Sequence, residues 1–326
     1  MAEAAPPSGV VASVVIAAHN AAGFLDDAVS SALSQTCRAL EVIAVDDGSS
    51  DGTHEALAAW ARRDDRVVAL RHERCQGAAA ARNTAIARAR GDWIAVLDAD
   101  DAFLPERVER LVASAEATGA DLLADNLIER DFAGKAPLGT AMPRSLMADN
   151  GPLSLPEMLR RDRVDLPGRA KIGYLKPIVR RAFLERAGVR YRPELRVGED
   201  FLFTFECVLA GGRFRLTPDA FYLYSVRQGS ASDRGTNALH LSAATRRMRE
   251  LARGRGDAEL DALLRQRQRA TDSDCFDLSV EARRLGDALG YARSADPARV
   301  ARRLGLAAGA LRRRLSGALA RNGGRP

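Results

Sequence analysis

Across the first 130 residues, short dense runs of apolar positions alternate with stretches in which apolar residues recur every three or four positions. The dense runs are Val10 to Ala18, Glu41 to Val45, Arg66 to Leu70, Trp93 to Leu97 and Asp121 to Asn126. Runs this short and this apolar read as strands buried on both faces. Between them, Phe24, Leu25, Ala28, Val29, Ala32 and Leu33 recur at helical spacing, a helix is expected to start near Thr53, and Ala78 to Arg90 is alanine-rich. Pro105 to Thr118 opens on a proline suited to a first helical turn. Strands alternating with helices of about ten to fifteen residues make βαβ units, which predicts an α/β fold with a mainly parallel sheet flanked by helices.

Beyond Glu129 the alternation weakens. Asp131 to Gly151 is polar and rich in Gly and Pro and reads as a loop. A short helix over Leu155 to Arg161, a helix from Pro177 to before Gly188, and one from Glu199-Asp200 to Leu209 follow. Phe214 to Leu216 and Phe221 to Tyr224 read as a closing pair of strands, and from Leu239 onward the pattern is helical with Arg-rich faces. Three parts result: 1–130 as a ligand-binding half, 131–235 as a second half, and 236–326 as an α-helical C-terminal extension.

Composition changes this picture in two places. Net charge is +6, but from Thr236 onward there are 19 Arg and no Lys against 10 Asp plus Glu, so the extension holds +9 and the part before it −3. With few aromatics interleaved, specific nucleic-acid recognition is not expected. The extension has two readings: a peripheral platform that meets anionic lipid with Leu304, Leu311 and Leu315, or ordinary helix surface packed on the domain or a second subunit. Cys37, Cys75, Cys207 and Cys275 are scattered, with no Cys-x-x-Cys spacing and no His at metal-ligand spacing, which suits free thiols in a reducing compartment. No apolar run reaches the roughly 20 residues of a membrane span, and a cytoplasmic protein is expected, with the inner membrane face as one place of work.

The candidate chemistry gathers where dense runs end. The first ends in Ala17-Ala18-His19-Asn20, the second in Asp46-Asp47-Gly48-Ser49-Ser50-Asp51-Gly52-Thr53, the fourth in Asp98-Ala99-Asp100-Asp101. Ligands of open α/β sheets bind outside the carboxyl ends of the strands, and neighbouring parallel strands lie about 4.8 Å apart, so these groups can line one crevice. An Asp at the second strand end can accept hydrogen bonds from a base or ribose, Gly48 lets backbone approach closely, and Arg82 can offset diphosphate charge. Asp98 and Asp100, one residue apart, can share a hard cation. The competing reading of the acids is a solvated turn that caps the following helix. No Gly-x-Gly-x-x-Gly follows the first strand and no Walker-type loop exists, which removes the main support for dinucleotide and ATP-hydrolysing readings.

These blocks, with Gly77, Ala81-Arg82-Asn83, Pro105 and Glu199-Asp200, occur in an order that resembles the GT-A fold of family 2 glycosyltransferases over about two-thirds of the chain. Gly173-Tyr174-Leu175-Lys176-Pro177 and Val197-Gly198-Glu199-Asp200 are most similar to bacterial enzymes of succinoglycan-type exopolysaccharide assembly. The resemblance implies inverting transfer of a sugar from a nucleotide diphosphate donor, a UDP-hexose, to a saccharide acceptor that a lipid carrier can present. Ala17, His19, Asn20, Asp46, Asp47, Gly48, Arg82, Asp98 and Arg227 would line the nucleotide-sugar site, with Asp47 on the uracil and Asp98 on the ribose or sugar. Asp100, with Asp98, would hold Mg2+ or Mn2+, and the Glu199-Asp200 pair would supply the catalytic base, assigned to Asp200.

The chain departs from the family pattern at Ala17 and His19, where Pro and an aromatic are common. It also lacks the Gln-x-x-Arg-Trp block and the membrane spans of processive synthases, so one sugar per encounter is expected. Two other functions compete: a sugar nucleotidyltransferase, which should carry a Gly-rich basic loop where Ala17 to Gly23 stands, and a non-catalytic nucleotide-sugar-binding scaffold, which would not need both metal acids and Glu199-Asp200. The bland readings make Glu199-Asp200 helix-terminal acids favoured by the macrodipole, Arg227 a surface ion-pair partner, and Arg169, Lys171 and Lys176 a solvated face.

Overall fold

The computed structural model describes residues 9–148, 151–162, 164, 171–226, 237–282 and 284–305. The chain divides into two compact units, Met1–Arg234 and Gly235–Pro326. Within the first, β1 (Ala12–Ala18), β2 (Leu40–Asp47), β3 (Val67–His72) and β4 (Trp93–Asp98) lie parallel in the order β3-β2-β1-β4. They alternate with α1 (Leu25–Leu33), α2 (Thr53–Arg63), α3 (Ala78–Arg88) and, after the two-residue β5 (Ala102–Phe103), α4 (Arg107–Thr118). Every residue of β2 is buried, and Val14, Val15, Ile16 and Ile94 are sealed in the same layer. The dense runs of β1, β2 and β4 thus form strands because both sheet faces are covered there, whereas β3, at the end of the sheet, is only partly buried.

The second half of the sheet mixes directions. β8 (Ile178–Arg180) pairs antiparallel with both β4 and β6 (Leu122–Asp131), and β9 (Phe214–Val226) runs parallel to β6 and antiparallel to β5. β6 runs across residue 130 without interruption. α5 (Leu155–Arg161) starts with a capping box, Ser154 with Glu157, and is followed by α6 (Arg181–Ala187) and α7 (Glu199–Leu209).

Three expectations are corrected here. The segment read as a loop from Asp131 contains an edge strand, β7 (Pro137–Thr140), paired to β6 with all its residues exposed. An edge strand needs only backbone pairing, so it leaves no apolar pattern, and Pro137 is tolerated at its first position. Pro177 starts no helix: Ile178 and Val179 enter the sheet between β4 and β6, almost fully buried, and α6 begins at Arg181. Burial of two β-branched residues outweighs the helix-start signal of the proline. The closing pair of strands is one strand, β9, which passes Pro218 where its register on β6 shifts near Asn126.

The second unit holds α8 (Asn237–Ala252), α9 (Ala258–Glu281) and α10 (Leu285–Ala292), as the helical pattern predicts. Phe276, Ala288 and Ala295 form an apolar cluster. Asp272 is buried and accepts from Ser242, Gln268 and Ser294, which links α8 and α9. Leu304 is exposed, whereas Leu311 and Leu315 lie outside the described residues. Among the described residues no helix is long and apolar enough to cross a membrane. The four cysteines are free thiols.

Candidate active site

The ends of β2, β1 and β4 form one rim, because Ala18 is in register with Asp46 and Ala17 with Asp98. Asp47 and Asp98 therefore stand on strands two spacings apart, about 10 Å across the sheet, with Asp98 level with Val45 and Asp47 two residues further along. At the β2 end Asp46 is sealed and accepts from the Ser49 backbone at 3.0 Å, bracing the turn. Asn20 sits with positive φ, donates its backbone N–H to Ser49 Oγ and accepts from the Ser50 N–H, so the β1 loop is tied to the β2 loop. Gly48 has φ +66, and a Cβ there would lie 2.5 Å from the carbonyl carbon of Arg74. Only glycine lets the β2 loop pack this closely on the β3–α3 connection.

Asp47 is nearly sealed, and its carboxylate accepts from His72 Nδ1 at 2.7 Å, Gly77 N at 2.7 Å, Gln76 N and Cys75 Sγ. Burial pushes its pKa up, but the Gln76, His72 and Gly77 donors outweigh that and hold it below the usual carboxylate value. His19 Nδ1 lies 2.8 Å from the Asp47 carbonyl, which can only accept, so that nitrogen carries the proton. Cys75, which sequence spacing left without a histidine partner, comes together with His19 and Asp47: one ligand atom from each lies within 4.8 Å of the others. The β3–α3 connection supplies the proximity, and nothing local in the sequence encodes it.

At the β4 end the backbone turns tightly, with the Asp101 N–H bonded to the Asp98 carbonyl at 3.0 Å. Asp101 faces inward and accepts from Tyr222 Oη at 2.8 Å and the Ser225 backbone at 2.7 Å. Burial, followed by the charges of Asp100 and Asp98, pushes its carboxyl well above the usual range. Asp98 engages two cations: Arg82 Nη2 lies 2.7 Å from Oδ1 and Lys176 Nζ 3.0 Å from Oδ2. Burial raises its pKa, but Lys176 and Arg82 override this and hold it well below the carboxylate range.

The acids of α7 complete the crevice. Gly198, with φ +81, turns the chain so that Glu199 and Asp200 open the helix, where its N-terminal dipole favours negative charge. Arg82 Nη1 reaches both Glu199 Oε1 and Asp200 Oδ1 at 2.9 Å, and Lys176 Nζ bonds Asp200 Oδ2. Arg82 is sealed under Tyr191, whose ring lies 5.2 Å from the guanidinium carbon and stacks on Phe203. Burial and then the charge of Asp200 raise the Glu199 pKa.

Could the acids hold a divalent cation? Asp98 and Asp100 offer carboxylate oxygens, the donors that Mg2+ and Mn2+ prefer, from one tight turn at the β4 end. The residues fit such an ion. Asp100 would hold it, with Asp98 sharing it once one of its ammonium or guanidinium partners yields.

Comparison with known proteins follows the same outline. The model of glycosyl transferase family 2 matches residues 13–140. The succinoglycan biosynthesis protein ExoU of Rhizobium meliloti strain 1021 is 35% identical over 272 residues, 82% of this chain and 76% of its own. The chain is a family 2 glycosyltransferase. ExoO, another succinoglycan biosynthesis protein of that strain, is 38% identical over 218 residues, 67% of this chain but 61% of ExoO. Staphylococcus aureus TarS 1–349 in complex with UDP-GlcNAc superposes with TM-score 0.66 at 20% identity, covering 90% of this chain and 83% of that fragment, and shows that the fold is of the GT-A kind.

Within this glycosyltransferase the structure brings Arg82, Asp98, Glu199 and Asp200 into direct contact and sets Ala17 beside Asp98. His19, Asn20, Asp46, Asp47 and Gly48 form the other end of the rim, and Arg227 lies outside the described residues. Lys176 corrects the solvated-face reading: it is 6% exposed and holds two site carboxylates. Arg169 lies outside the described residues, whereas Lys171 is described. Sequence reasoning also missed Tyr191 and Tyr222. Lys176 carried one usable signal, its place in the Gly173–Pro177 motif.

Proposed function

We propose that this glycosyltransferase moves a sugar from a nucleotide diphosphate donor, a UDP-hexose, to a saccharide acceptor with inversion at the anomeric carbon, in exopolysaccharide or cell-surface glycan synthesis. One observation supports it above the others: Asp98 at the donor-side strand end and Asp200 at the α7 terminus are held by the same two cations, Arg82 and Lys176. The roles of ExoU and ExoO in succinoglycan biosynthesis and the UDP-GlcNAc bound by TarS 1–349 support the substrate class.

In this reading the nucleotide lies along the rim from Asp47 to Asp98. The acceptor hydroxyl attacks the anomeric carbon while Asp200 takes its proton, and the bond to the diphosphate breaks on the opposite face. Arg82 supplies positive charge near the departing diphosphate. A divalent cation on Asp100 and Asp98 would neutralise charge that develops on that leaving group.

Asp200→Asn keeps shape and removes the proton acceptor, so transfer should fall by a factor of about 100 or more with UDP-sugar affinity retained. Release of UDP from a panel of UDP-sugars, together with UDP titration calorimetry, tests this. Unchanged turnover in Asp200→Asn would falsify the base assignment.

A further inference from the structure

Lys176 is a buried cation of the crevice that the reaction scheme above does not use. Its Nζ contacts Asp98 Oδ2 and Asp200 Oδ2, while Arg82 takes Oδ1 of each, so all four oxygens of the two carboxylates are engaged and the four side chains close a ring across the crevice. Arg82 alone would leave each carboxylate one held oxygen. The position of Lys176 is itself tightly determined. Its carbonyl accepts from Arg107 Nη2 at 2.6 Å, Pro177 follows, and Leu175 and Ile178 on either side are sealed. Burying an ammonium costs several kcal/mol before its partners compensate, and apolar replacements of buried ion pairs are often as stable, so stability alone gives a poor reason for a lysine here.

We propose that Lys176 is a positioning residue for sugar transfer: with Arg82 it fixes the orientation of the Asp200 carboxylate and ties it to the donor-side acid Asp98. The inference rests on Asp200 being the base. In the step it serves, the acceptor O–H bond breaks and its proton goes to Asp200. The acceptor oxygen bonds to the anomeric carbon, and the electron pair of the broken glycosyl bond leaves with the diphosphate. Lys176 neither gains nor loses a proton. It keeps the accepting oxygen in place, where a misplacement of about 1 Å can cost about 100-fold in rate.

The test removes the ammonium and offers it back. In Lys176→Ala, UDP release from the most active UDP-sugar of the panel should show kcat lower by about 100-fold. UDP affinity titrated in EDTA should stay within about threefold of the parent, because Lys176 reaches the nucleotide site only through Asp98, which keeps its bond to Arg82. Added ethylammonium should restore part of kcat, and ethanol of similar size should not. Lys176→Met, which fills the space without charge, should match the alanine variant and guards against collapse of a smaller side chain. Wild-type kcat in either folded variant, lost UDP affinity with kcat intact, or equal responses to ethylammonium and ethanol would each overturn the proposal. The two readings separate cleanly. An active Asp200→Asn removes the base, whereas an inactive Asp200→Asn beside a fully active Lys176→Met removes only the role given to Lys176.

Discussion

Asp125→Asn is the sharpest test of the scaffold beneath the crevice. Arg107 and Asp125 are sealed from solvent and joined by Nη2–Oδ1 at 2.8 Å and Nε contacts at 3.2 Å, while the Phe221 N–H donates to Asp125 Oδ2 at 3.0 Å. The guanidinium also stacks over Phe103 and Tyr222 and donates to the Lys176 carbonyl. Its Nη1 has no hydrogen-bond partner among the described residues. Asparagine keeps the volume but strands a buried positive charge, for which the expected loss is about 3–5 kcal/mol. With m of about 3 kcal/mol/M, the urea midpoint should fall by about 1 to 1.7 M. Tryptophan fluorescence reads the right unit, since the two tryptophans, Trp60 and Trp93, both precede Gly235. Replacing both partners by apolar residues, Arg107→Met with Asp125→Leu, should recover most of the loss. A single-variant cost under about 1 kcal/mol, or a double variant no better than the single, would refute the assignment of a stranded charge.

Gly91→Ala should destabilise the same unit by about 2 kcal/mol or more, since its Cβ would stand 2.5 Å from Ala12 C and Ser13 N, backbone that cannot yield; a wild-type urea midpoint would contradict this. Asp47→Asn should cost about 1–2 kcal/mol at pH 7 by loosening the Cys75–Gly77 connection. The folded Asp47 pKa is depressed, so its contribution is complete above the unfolded value of about 3.9 and is lost as pH falls through the lower folded value. The stability gap between wild type and Asp47→Asn should therefore close below about pH 4, and a gap constant from pH 7 to pH 3 would count against the latch. Asp100→Asn should abolish the gain in UDP affinity on adding Mn2+ while leaving affinity in EDTA unchanged; calorimetry that still shows the gain would place the ion elsewhere.

The strand ends were legible because their signals are local. A β-branched run that stops at Asp46-Asp47-Gly48 or Asp98-Ala99-Asp100-Asp101 carries its strand, its turn and its polar tip in neighbouring residues. The rim could then be assembled from parallel pairing alone. Lys176 was not legible in the same way, because a lysine beside Pro177 looks exposed until β8 inserts between β4 and β6 and buries the segment. The grouping of His19 with Cys75 and the inward turn of Asp101 toward β9 likewise depend on contacts between distant segments. β7 escaped notice for the opposite reason, since an exposed edge strand has backbone partners and no apolar signature.

Charge balance explains why donor and cation are expected to bind together. Arg82 and Lys176 are committed to Asp98 and Asp200, and Arg82 also to Glu199. Asp100 adds negative charge beside them, which together with the larger effect of burial and the charge of Asp98 raises the Asp101 carboxyl. A diphosphate approaching this rim alone would meet carboxylates whose nearest cations already have partners. In the proposed reaction a dication held by Asp100 would reverse the sign of the local field and would give the phosphates a place to bind, without drawing Lys176 away from Asp200. On the proposed mechanism Lys176 could therefore keep the proposed base Asp200 in place only if the phosphate charge were met by another group, and the Asp98–Asp101 turn carries the carboxylate oxygens that would recruit one.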